Sequence, residues 1–213
     1  MKKIIFLFLA TCSLQLAFSQ SDRFVAAMKT NLDLYDSAKT ADDFIAVANN
    51  FQRIGDAEKT QWLPYYYAGL ALSSAGWRSK DLDKDANSPK IIALMDQAEA
   101  LAPNDTAKSE IYTVRNMAYT QQMMVDPYSR YMTYGQQSGA ALQKAMKLYP
   151  NNPRVYFLQG MSLFGTPPQF GGGKDKAKPV FEKAIALYKS EQPLPLYPKW
   201  GQKESERQLT LCQ

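Results

Sequence analysis

Three sets of residues with one shared spacing constrain this chain more than any other feature. Ile91, Met95 and Ala98 stand four and then three positions apart, as do Ser138, Leu142 and Ala145, and again Ala177, Phe181 and Ala184. Steps of four and three put every member of a set on one face of an α-helix. The first two sets are followed five residues later by Pro103 and Pro150, which stop a helix. Upstream of each set runs another helical stretch with a small residue in it, Gly69, Ala118 or Gly160, at separations of 49 and 42 residues. A pair of helices recurring at that interval buries its apolar faces only by stacking on its neighbours. The expected fold is all-α, an alpha-alpha superhelix of helical pairs with a short C-terminal capping helix at 202–211.

Periodicity predicts helices over about 22–37 and 41–54, with Thr40 as N-cap ahead of Asp42 and Asp43. Further helices are expected over 62–75, 88–101, 109–125, 134–148, 153–164 and 174–188. The chain divides into residues 20–58 as a divergent N-terminal pair, 59–190 as three pairs, and 191–213 as a Pro-rich segment with a terminal helix.

Residues 1–19 read as a leader: Lys2 and Lys3 precede a mostly apolar stretch from Ile4 to Phe18, and small residues flank a cleavage point after Ser19. Lipidation at Cys12 is the less favoured alternative, because Thr11 suits it poorly and the apolar run continues beyond it. A periplasmic or secreted location follows, with no membrane span after cleavage. Removing Lys2 and Lys3 leaves 23 basic against 20 acidic residues and no dense basic block, which argues against a nucleic-acid partner. Cys212 then has no partner for an intramolecular disulfide.

The sequence contains no histidine. That excludes Ser-His-Asp and Cys-His nucleophiles and any His-ligated zinc or haem. Glu110, Glu182, Glu191, Glu204 and Glu206 are available carboxylates, but none stands in a recognisable catalytic spacing. No catalytic residue, metal site or cofactor is assigned, and the chain is read as a non-enzyme.

The spaced sets resemble the tetratricopeptide repeat family over about residues 62–188. The small residue in each first helix, the large residue in the middle of each second-helix set, and the closing proline carry the resemblance. The third unit departs from it, with Lys189 where proline would stand. The turns within the pairs, 76–91, 125–138 and 167–177, are longer than the family pattern gives, and stacking would bring them to one edge.

The first of these turns places Asp81, Asp83 and Asp85 at alternating positions, like the start of an EF-hand. Ala86 replaces the required glycine there, and Ile92 the bidentate glutamate. Solvated acids, with Asn87 or Ser88 capping the next helix, are the simpler reading. The third turn, 165–174, lacks the glycine and hydroxyl spacing of a phosphate loop and resembles the Gly-rich turn of Sel1-type repeats, with Phe170 expected to plug the stack. In the middle turn Arg130, with Tyr128 and Tyr131, is either a contact group or, with Asp126 pairing to Arg130, part of a loop closure.

The resemblance implies a peptide- or protein-binding groove lined by the first helix of each pair. Carried over from the small residues, its positions are Tyr66, Arg115 and Phe157, then Leu70, Tyr119 and Met161, with Arg154 pointing the same way. Tyr119 and Met161 stand where relatives that clamp a carboxylate use Asn. The expected function is an exported, non-catalytic adaptor for a protein or peptide in the cell envelope, with Arg130, Tyr131 and Phe170 on the loop edge as a second contact surface. The alternative is an extracytoplasmic solute- or glycan-binding protein that serves a transporter, with an enzyme less favoured. The oligomeric state is left open.

Overall fold

The computed structural model describes residues 22–213, which are helical with no strand among them. The proposed leader, its cleavage point and Cys12 lie outside the described residues. The first two helices, α1 (Asp22–Ser37) and α2 (Ala41–Glu58), follow the periodicity. Thr40 caps α2 in a reciprocal box: its hydroxyl accepts from the Asp43 amide and the Asp43 carboxylate accepts from the Thr40 amide. Next come α3 (Trp62–Arg78), α4 (Lys84–Ala100) and α5 (Asp105–Val125). A short turn α6 (Pro127–Arg130) and a wide turn Tyr131–Gly135 lead into α7 (Gln136–Leu148). The chain ends with α8 (Pro153–Gly165), α9 (Lys174–Ser190) and α10 (Gln202–Leu211).

Each helix packs chiefly on its neighbours in sequence, and α3 also meets α5. The spaced sets explain why. A Cβ added at Gly69 would lie 2.5 Å from Met95 Cε, and one at Gly160 would lie 2.6 Å from the Phe181 ring, so in the first and third sets the large residue sits directly on the small residue of the preceding helix. Ala98, Ala145 and Ala184 are fully buried, letting the backbones approach. Buried polar side chains then tie the helices together. Ser88 Oγ donates to the Ala118 carbonyl at 3.1 Å, Ser109 Oγ to the Ala145 carbonyl at 2.8 Å, and Gln121 to the Ser73 carbonyl at 2.8 Å. The core has one large part among α1 to α5 that also takes in Leu196, with Tyr197 and Trp200 packed on it, and smaller parts among α7 to α10.

Two of the turns are shorter than expected. Asp83, rather than Asn87 or Ser88, caps α4, accepting from the amides of Asp85 and Ala86, so the helix starts at Lys84 and absorbs most of the first insertion. The residues given to the second insertion are mostly wound into α6 and the wide turn. In the third, Gly171 and Gly173 take φ of 89° and 106°, which supplies the bend assigned to the glycines. Phe170 does not plug the stack; it is 77% exposed on a one-turn 3-10 helix.

Candidate functional site

The chain beyond α9 decides what the groove positions touch. Pro193, Pro195 and Pro198 cannot continue a helix, so residues 191–201 run irregularly, as a strap across α3 and α8. The Tyr67 hydroxyl donates to the Leu196 carbonyl at 2.9 Å, and Trp200 Nε1 donates to the Tyr66 hydroxyl at 2.8 Å. Tyr197 meets Trp62 edge-on at 5.3 Å between centroids, and Trp200 meets Phe157 at 6.1 Å. Tyr66 consequently has no exposed surface, and Phe157 is half-buried. Three of the residues expected to face a partner, Tyr66, Phe157 and Arg154, instead face the protein's own C-terminal segment.

Arg154 is the electrostatic centre of this contact and is 1% exposed. Its Nε donates to Glu110 Oε2 at 2.7 Å, and its two Nη atoms donate to the Glu191 carboxylate at 3.1 and 2.5 Å and to the Pro198 carbonyl at 3.0 Å. The rings of Tyr188 and Trp200 flank the guanidinium at 5.7 and 6.0 Å. One cation therefore serves two carboxylates. Burial raises the carboxyls of both Glu110 and Glu191 above the ordinary range, with Arg154 opposing the shift. Burial likewise raises the Tyr66 hydroxyl far above its usual value. Beside the cluster opens a cavity of about 440 Å³ with Tyr149, Leu187, Glu191, Leu194 and Tyr197 on its walls. A second, of about 470 Å³, lies among α2, α3 and α4 against Ile45, Leu72, Leu82 and Lys90.

Arg115 is largely buried and bound to α4, donating to Asp96 at 2.7 Å and Glu99 at 2.8 Å while lying over the Tyr112 ring. Both acids are nearby in sequence on the preceding helix, so the pair joins α4 to α5. Tyr119 is half-buried.

The loop edge is different. Arg130 does not pair with Asp126; it forks onto Asp85 at 2.6 and 2.9 Å and donates to the Gln122 carbonyl. This contact joins the start of α4 to α6, and it holds the Asp85 carboxyl below its usual range. Asp126 instead caps α6 by accepting from Ser129. With Asp83 capping and Asp85 paired, two of the three alternating acids already have partners. Arg130 thereby fixes a turn whose apolar side chains point outward: Met124, Val125, Tyr128, Tyr131 and Met132 are 51%, 47%, 100%, 62% and 66% exposed. The Tyr131 ring and the Met123 sulfur both lie against Gly135, where an added Cβ would come within 2.9 and 3.1 Å of them. Aromatic and thioether groups thus stand exposed along one short stretch of the chain.

Sequence reasoning offered Arg130 with Tyr128 and Tyr131 on the middle turn, and Phe170 on the third, as contact residues; it passed over Met124 and Met132, which are exposed close by in sequence. It also passed over the strap. The available clue was Tyr197 and Trp200 among prolines, large apolar side chains in a stretch that cannot be helical.

These features define an all-helical protein of sequence-adjacent helical pairs whose buried charges are paired internally. No family model matches the sequence, and no curated protein does. Among solved structures the chain is similar to the HusA haemophore from Porphyromonas gingivalis, with 32% sequence identity over 92% of this chain and 95% of that one, and a TM-score of 0.81. The chain belongs to the family of that haemophore. The relative is by its name a binding protein and not an enzyme.

Proposed function

We propose that this protein is an extracytoplasmic haem carrier, built as a tetratricopeptide-like superhelix and presenting haem on the loop edge between α5 and α7. The observation that supports it is the similarity to a haemophore along nearly the whole of both chains, in sequence and in fold. The edge fits the cargo chemically. A porphyrin is a flat apolar disc, and Tyr128, Tyr131, Met124 and Met132 offer ring faces and thioethers to it. With no histidine in the sequence, the axial groups available at this edge are tyrosine phenolate and methionine thioether, both known haem ligands. Export agrees with the leader read in residues 1–19, and no helix among the described residues is long and apolar enough to cross a membrane.

The test is a ferric haem titration of residues 20–213, followed by the Soret band, with iron-free protoporphyrin alongside. The Tyr131→Ala, Met132→Ala double variant is expected to weaken haem binding by about tenfold or more. Wild-type protein that leaves the haem spectrum unchanged refutes the carrier reading. Full affinity in the double variant and in Tyr128→Ala refutes the site.

A further inference from the structure

The cavity beside Arg154 is short of free hydrogen-bond donors and rich in acceptors. Asn104 and Thr106 from the start of α5, and Asn151 and Arg154 from the start of α8, line it. A bare helix start would offer amides to an anion. Both starts are already closed by side chains: Asn104 Oδ1 accepts from the Ala107 amide at 2.9 Å, and Asn152 Oδ1 from the Arg154 amide at 2.9 Å. The Arg154 guanidinium is spent as well, on Glu110, Glu191 and the Pro198 carbonyl. An anion entering here finds these donors taken.

The charge that faces the cavity is negative. Glu110, Arg154 and Glu191 are the charged groups on its walls, two carboxylates to one cation. The Glu110 side chain is buried, whereas that of Glu191 keeps some exposed surface. Each Glu191 oxygen accepts one bond from Arg154, and a carboxylate has sites for about four, so it retains room for a further donor. Away from the carboxylates the walls turn apolar. Tyr149, Leu187, Pro193, Leu194 and Tyr197 border a space of about 440 Å³, a size typical of small-molecule sites.

We propose that this cavity binds a small organic cation, a primary ammonium group that donates to Glu191 and carries an apolar stem lying against Tyr149, Leu194 and Tyr197. An ammonium brings three donors and no acceptor, which suits a wall of acceptors, and its charge balances the second carboxylate. Tyrosine rings add attraction for a cation placed over them. The site is distinct from the haem edge: α5 begins at the cavity and ends at that edge, 21 residues and roughly 30 Å away. Neither reading rests on the other.

The probe is n-hexylamine, protonated at pH 7, titrated into residues 20–213 by isothermal titration calorimetry, with n-hexanol and hexanoate as uncharged and anionic controls of similar length. Hexylammonium is expected to bind saturably with a Kd of about 1 mM or tighter, and at least about tenfold more tightly than either control. Glu191→Gln is expected to weaken binding about tenfold or more. Leu194→Lys, at an exposed position on the wall, sets a tethered ammonium at the mouth and is expected to block the probe while leaving the helical circular dichroism unchanged. Absence of saturable binding up to about 10 mM overturns the proposal, as does equal affinity for hexanol or hexanoate. Undiminished affinity in Leu194→Lys, or in a folded Glu191→Gln, overturns it too.

Discussion

Replacing Arg154 by methionine tests the account of the buried cluster most directly. The substitution keeps much of the side-chain volume but leaves Glu110, with side-chain exposure of 3%, and Glu191, at 18%, without their shared cation. Breaking a buried ion pair from one side costs about 3–5 kcal/mol, a large part of the roughly 5–15 kcal/mol that holds a domain folded. For a chain of this size the melting temperature falls by about 6–20 °C. Urea unfolding followed by circular dichroism at pH 7 measures the loss. Adding Glu110→Gln and Glu191→Gln to the same chain removes the stranded charges and restores most of the stability. The pH dependence has a definite sign. A carboxyl whose folded value is raised contributes stability that is present below its unfolded value, about 4.3, and is lost as pH rises through the folded value. Removing Arg154 raises both carboxyls further, so the deficit of Arg154→Met shrinks as pH is lowered from 7 towards 5. A loss under about 1 kcal/mol at pH 7, or a deficit that grows on acidification over that range, refutes the reasoning.

The remaining predictions concern packing and capping. Gly160→Ala drives a Cβ into the Phe181 ring and is expected to cost about 1–3 kcal/mol by urea titration, whereas Gly139→Ala, with no atom nearby on an exposed helical surface, adds about 0.5–1 kcal/mol. Thr40→Ala removes the capping box of α2 and is expected to cost about 1 kcal/mol, with faster amide exchange at the start of that helix.

Where the fold was legible, a local rule and the final packing agreed. The four-and-three spacing of Ile91, Met95 and Ala98 announces a helix face, and the same spacing places Met95 on Gly69 in the finished structure. Thr40 and Asp43 are a cap readable from four consecutive residues. Helix starts were harder because several polar residues compete for them: Asp83 takes the cap of α4 ahead of Asn87, whose side chain donates to the Leu72 carbonyl instead. The site was legible only in part, since partner choice there is long-range. Arg130 had Asp126 four residues away but pairs with Asp85, 45 residues distant, where the geometry permits two parallel hydrogen bonds. Likewise nothing near Tyr66 or Arg154 in sequence announces Trp200 or Glu191; only the stacking of the helices creates the surface on which the strap lies.

The bond between Trp200 and Tyr66 spans 134 residues, and that between Tyr67 and Leu196 spans 129. An array in which each pair touches only its neighbours loses its ends one unit at a time and tolerates units being added or deleted. Here residues 196–200 return to the third described helix, so a segment synthesised late completes a contact with one made well over a hundred residues earlier. The closure thereby ties the number of helices between the two segments to the fit at its ends: an inserted or deleted pair would carry Trp200 away from Tyr66.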